Sequence, residues 1–166
     1  MMLSFEFVNN CKPGDLLRLK IEDVAEFAIL GANEGHGLRA LVVLKDNEPP
    51  FAINLLESGR IDGDFETYAA LVYGKFEILP DHSSLCEIGA GPLFTKVGAL
   101  VLAEDDSRSL VVKAKTGKSL RYFDLTSWKL RGEPSGQRAA FKTWSLWHNG
   151  LAQSAPSERL LGYSVK

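Results

Sequence analysis

The residue types and spacings with the most to offer chemically lie toward the C-terminal end, where Trp128, Lys129, Arg131, Arg138, Lys142, Trp144 and Trp147 interleave cations with rings. All three tryptophans of the chain are among them. Single-stranded nucleic acid is bound by that pairing, in which cations track the phosphates and aromatic faces stack on bases. An acidic protein surface asks for the same cations. These seven residues form the candidate partner-binding set. The competing reading places the tryptophans in the core and the cations on a solvated face. Alternation along Phe141 to Trp147 does not choose between them. It puts Phe141, Thr143, Ser145 and Trp147 on one side and Lys142, Trp144 and Leu146 on the other, and neither side is wholly apolar.

Other chemistry is less well marked. Gly31, Gly35 and Gly37 invite a phosphate-loop reading, but no Gly-Lys-Ser/Thr ending follows, and Leu38 to Leu44 has the pattern of a strand and not of a helix. A hairpin loop is expected there. Gly89-Ala90-Gly91-Pro92 fails as a phosphate cradle because proline has no amide hydrogen to offer. His36, His82 and His148 stand apart, and Cys11 and Cys86 lack partners at a ligand spacing, so neither metal nor other cofactor is expected. Asp81 beside His82, or Asp62 with Asp64, would serve only a site assembled from distant segments. Cys86, a histidine and Asp81 can be drawn as a triad, but nothing flanking either thiol selects it. Both cysteines are expected to be free thiols that pack as small hydrophobes.

The elements that must position these residues are strands. After a Pro13-Gly14 turn, Leu17, Leu19 and Ile21 alternate with Arg18 and Lys20; Phe27 to Leu30, Leu38 to Leu44 and Phe51 to Leu55 then read as a meander. Ala99 to Leu102, Leu110 to Ala114 and Leu120 to Leu125 repeat the theme. Val42 and Val112 stand 70 positions apart, as do Ile53 and Phe123, which suggests a duplication at that offset; coincidence between generic hairpins gives the same pattern. Phe65, Tyr68, Ala69 and Val72 fall at helical spacing between Asp64 and Gly74, although a strand fits them too. Phe141 to Trp147 reads as the last strand, and Leu160, Leu161 and Tyr163 as a tail docking back onto the body. The fold class is all-β: a small barrel or sandwich of antiparallel meanders, roughly nine to eleven strands, with at most one short helix. Two similar halves would be arranged as tandem SH3-like barrels or as one Greek-key sandwich.

Charge divides the chain in the same way. Residues 1–106 hold 18 acids against 8 bases, a net of −10, and residues 107–166 hold 3 acids against 11 bases, a net of +8. The domain reading is an acidic β half over 1–88 and a basic β half over 89–166, either separate or within one compact domain. The function this supports is a non-catalytic binding or interaction module whose basic, aromatic C-terminal face meets an acidic protein or single-stranded nucleic acid. Two alternatives stay open: a small enzyme with an unmarked site, and self-assembly into homo-oligomers through the opposed charges. No run approaches the roughly 18 apolar residues of a membrane span and Met1 to Asn10 lacks a signal-peptide pattern, so no membrane partner is expected and the default location is the cytoplasm.

Overall fold

Short runs rich in β-branched and aromatic residues, closed every few positions by Gly, Pro, Asp or Asn, fold here into strands. The computed structural model describes residues 4–35, 37–55, 69–90, 96–115, 119–148 and 158–165. Among the described residues, strands make up 66% and helix 5%, with no helix of seven residues or more, so the fold is all-β. The first half contributes β1 (Ser4–Phe7), β2 (Leu16–Ile21), β3 (Val24–Asn33), β4 (Arg39–Lys45), β5 (Glu48–Asn54), β6 (Ala69–Tyr73) and β7 (Phe76–Pro80). The second contributes β8 (Leu85–Gly89), β9 (Leu100–Ala103), β10 (Arg108–Ala114), β11 (Leu120–Asp124), β12 (Lys129–Arg131), β13 (Arg138–Phe141), β14 (Thr143–His148) and β15 (Glu158–Ser164). The strands outnumber the sequence expectation because several are only three to five residues long.

Six strands close a barrel. β3, β4 and β5 pair antiparallel in succession, β10, β11 and β12 do the same, and two parallel pairings join the sets. Phe51 of β5 lies beside Lys113 of β10, and Ala32 of β3 beside Lys129 of β12. Of the arrangements compatible with the sequence, the chain adopts a barrel that takes three strands from each half. The 88/89 division falls inside β8.

The registers of the two halves correspond strand for strand. Ala32 opposite Arg39 in β3·β4 matches Lys113 opposite Leu120 in β10·β11, and Val42 opposite Ala52 matches Phe123 opposite Leu130. Leu16 opposite Ile29 matches Leu100 opposite Leu110, and Leu16 opposite Tyr73 matches Leu100 opposite Phe141. Phe5 opposite Leu71 matches Ile88 opposite Ala139. β1 to β7 therefore map onto β8 to β14. The relation is a pseudo-twofold centred on the antiparallel β7·β14 pair, where Ile78 faces Leu146 and exchanging halves turns Phe76 opposite His148 into Trp144 opposite Pro80.

This duplication differs from the one the sequence suggested: Val42 corresponds to Phe123 and not Val112, and Ile53 to Arg131 and not Phe123. Apolar alternation recurs on every strand, so sliding a meander by one whole strand preserves the pattern. A turn fixes the true offset. Lys12-Pro13-Gly14 matches Lys96-Val97-Gly98, with Gly14 and Gly98 at φ of 96° and 92° and their amides donating over 2.7 Å to the carbonyls of Leu30 and Val111.

Two further expectations change. Ala69 and Val72 lie in β6, hydrogen-bonded between β1 and β2, which removes them from any helix; Asp64, Phe65 and Tyr68 fall outside the described residues. The strand expected over Phe141 to Trp147 breaks at Lys142, because the chain there leaves the barrel sheet (β13) for a separate three-stranded sheet, β15-β14-β7. The tail does dock back, as β15, burying Leu161 and Tyr163.

Apolar burial follows the same symmetry. One cluster is shared by both halves and contains Ile29 and Val42 together with their counterparts Leu110 and Phe123. Two satellites lie on the outer faces, one around Leu17, Leu30 and Leu41, the other around Val101, Val111 and Tyr122. β4 is buried on both faces, which accounts for its unbroken apolar run from Ala40 to Leu44. Because neither half holds a complete barrel, Ile29→Ala and its counterpart Leu110→Ala should each destabilise the whole chain by about 2–5 kcal/mol. Denaturant unfolding should give one transition, coincident by far-ultraviolet circular dichroism and by the fluorescence of the tryptophans, which all lie in the second half. Two separated transitions would show that the halves fold independently.

Candidate functional site

The structure disperses the seven candidate residues. Strand alternation turns Trp144, Leu146 and His148 inward; Trp144 is 1% exposed, and its indole Nε1 donates to the Gly98 carbonyl at 2.7 Å. Arg138 is buried as well, with its guanidinium 3.0 Å from Glu133 and bonded to the Pro134 carbonyl. Both belong to the interior, which corrects their assignment to a partner-binding face. Arg131 is half-buried and pairs with Asp124 at 3.2 Å, while that carboxylate also accepts from the amides of Thr126 and Ser127 and shapes the β11–β12 turn. Lys129 and Lys142 are exposed, but Lys142 borders a different hollow, beside Cys86 and Glu87. Trp147 is half-buried and donates to Ser145 Oγ at 2.8 Å.

Trp128 is different. It sits in the β11–β12 turn at φ 59°, the left-handed region that bulky residues avoid at a cost of about 1–2 kcal/mol. Its counterpart Asn47, at φ 62°, is of a type that accepts this conformation. The indole packs 5.7 Å from Phe76 and 6.1 Å from Phe123, centroid to centroid, and covers Gly14, where a Cβ would strike the ring. With Phe76, Glu77, Ile78, Leu79, Leu125 and Arg108, it lines a groove of about 350 Å³ along β7.

Among the described residues, β7 pairs only with β14, so one of its edges is open. The Asp81 amide donates to Thr143 across that pair, and antiparallel alternation then aims the amides and carbonyls of Glu77 and Leu79 at β14. Those of Phe76 and Ile78 point the other way, into the groove. The Ile78 carbonyl is met there by Arg108 Nη1 at 3.2 Å.

No family model matches the chain, and neither does any curated protein or solved structure.

Sequence reasoning named Trp128 but missed Phe76, Ile78, Leu79, Arg108 and Leu125. Nothing in the pattern of β7 marks it as an edge; that property arises from which strands stop short of it. A larger cleft of about 570 Å³, also unforeseen, lies over the β5·β10 seam between Val24, Pro50 and Phe51. Its rim charges are largely paired within the chain, Lys115 with Glu22 and Lys45 with Glu26, and the first of these pairs joins the basic part to the acidic one.

The thiols are separated by environment. Cys11 is buried, and desolvation, helped by Asp15 and Glu6, pushes its pKa up to about 11. Cys86 is exposed, and its pKa is raised mainly by partial desolvation and then by Glu87. Because the thiolate is the reactive form, raised values slow both thiols at neutral pH, and burial blocks Cys11 further. Titration with a disulfide reagent at pH 8 should therefore modify Cys86 first, faster as pH rises, and Cys11 only on unfolding. Equal rates in the native protein would contradict the burial of Cys11.

Proposed function

We propose that the protein is a non-catalytic interaction module that holds a segment of an acidic partner protein in the groove between β7 and Trp128. The observation that carries this reading is the groove itself: the apolar side chains of Phe76, Leu125 and Trp128, backbone groups on a strand edge that no described strand covers, and the cation Arg108, with Glu77 the one acid in the lining. Lys129 adds an exposed charge beside Trp128 in the chain. Apolar walls with a few converging polar groups are what recognition sites supply. A peptide is favoured over single-stranded nucleic acid because the indoles are engaged within the fold: Trp144 is in the core, Trp147 bonds to Ser145, and Trp128 covers Gly14 and Phe76. Stacking on bases needs open ring faces.

The test is a residue-resolved magnetic resonance titration with a peptide of alternating glutamate and leucine and, separately, with oligothymidylate. The peptide should shift Phe76, Leu79, Leu125 and Trp128, weakening with salt without vanishing, because the apolar contacts are unscreened. Oligothymidylate binding that collapses steeply with salt would replace the proposal with nucleic-acid recognition. A groove that responds to neither would remove it.

A further inference from the structure

The pseudo-twofold says what the groove along β7 is shaped to receive. Its counterpart lies along β14, and there the chain fills it with its own β15: Leu161 stands opposite Leu146, Tyr163 opposite Trp144, and both are buried. Leu146 and Trp144 correspond to Ile78 and Phe76. β15 also bonds the β4–β5 turn, through Gly162 to Asp46 and Asn47 to Gly162, and the equivalent β11–β12 turn carries Ser127 and Trp128. Among the described residues no strand takes the place of β15 at β7, and the turn there offers the Ser127 hydroxyl in place of the Asp46 carboxylate, while the Trp128 amide donates to the Asp124 carbonyl.

Part of that strand's work is done in place by Trp128. Tyr163 covers Gly98 and lies 6.0 Å from Trp144 at an interplanar angle of 50°; Trp128 covers Gly14 and lies 5.7 Å from Phe76 at 48°. Its indole stands where the counterpart has the tyrosine ring. Among the described residues, nothing covers the backbone edge or the apolar position facing Ile78. Phe76 is correspondingly more exposed than Trp144.

We infer that the groove accepts an extended segment of a partner protein as an added strand antiparallel to β7, with an aliphatic residue opposite Ile78 and a carboxylate two or three residues before it. This rests on the groove reading above and specifies its occupant. Antiparallel direction follows from the way β15 meets β14. The aliphatic residue takes the place of Leu161. The carboxylate takes the place of Glu158, which lines a cleft with Phe27, and Phe27 corresponds to Arg108. Arg108 now occupies the Ile78 carbonyl. An incoming amide would displace the guanidinium and free it to meet the carboxylate, a charge-assisted bond in exchange for a neutral one. Strand addition of this kind takes affinity from the main chain and selectivity from alternate side chains.

The probe is a synthetic peptide with the sequence of residues 158–165, Glu-Arg-Leu-Leu-Gly-Tyr-Ser-Val, offered to the intact protein. Amide hydrogen exchange of β7 is the readout. Two further peptides carry one N-methyl group each, at the position of Leu161, whose amide would face β7, or of Gly162, whose amide faces away, as its bond to Asp46 requires. The unmodified and Gly162-methylated peptides should slow exchange at Phe76 and Ile78, and methylation at Leu161 should weaken binding about tenfold. In a Trp128→Asn variant the peptide should outcompete its own Tyr163→Ala form, whereas the wild type should treat the two alike. Equal binding of all three peptides in the groove would overturn strand addition and leave the groove reading standing. No effect at β7 would overturn both. Protection changes at Leu146 instead would mean that the peptide merely replaces β15, against the inference. β7 amides already protected in a dimer of the protein alone would make a second copy the occupant and overturn the choice of partner.

Discussion

Two short parallel seams hold this molecule closed. β5 meets β10 through Phe51 and Ala52, β3 meets β12 through Ala32 and Asn33, and the same outer bond finishes each: Lys115 N–H to the Ala52 carbonyl and Glu34 N–H to the Leu130 carbonyl, both at 2.9 Å. Parallel partners cannot be joined by a tight hairpin, so each half must bring a whole meander before either seam can form. That requirement makes the shared apolar cluster a property of the pair of halves. It also brings the acidic and basic parts of the chain into contact, so some of the charge asymmetry is neutralised internally, as Lys115 and Glu22 do.

Symmetry in the barrel does not extend to its ends. One extra strand, β15, follows the second half and seals the edge of β14, and the described residues supply nothing equivalent for β7. Trp128 is where the chain compensates. Its carbonyl accepts the Ala32 amide at 3.0 Å and so belongs to a seam, while its ring covers Gly14 and lines the groove. A left-handed backbone at this position lets one residue do both, and packing against Phe76 and Phe123 offsets the conformational cost.

The sequence made the class of fold legible because period two survives in nearly every segment, and it marked the docking tail through Leu161 and Tyr163. The offset of the duplication was not legible: alternation is the same on every strand, and the Lys-x-Gly pattern shared by the matching turns at 12–14 and 96–98 recurs at 115–117. The site was half legible. Trp128 stood out by type, but so did Trp144, and the break at Lys142 concealed which of them faces inward. Arg108 looked like one more base of a positive region, whereas its role comes from the Ile78 carbonyl it meets across the fold. Edges and grooves depend on which strands are absent, and no local pattern encodes an absence.

Closure by both seams is the claim on which the symmetry, the shared core and the open edge all depend. The direct measurement is the pattern of short proton–proton contacts between backbone groups in the intact, isotope-labelled protein. Parallel-strand contacts should connect Phe51 with Lys113 and Ala32 with Lys129 in the same sample. Loss of either set, with β3 instead closing onto β5 inside its own half, would contradict the account.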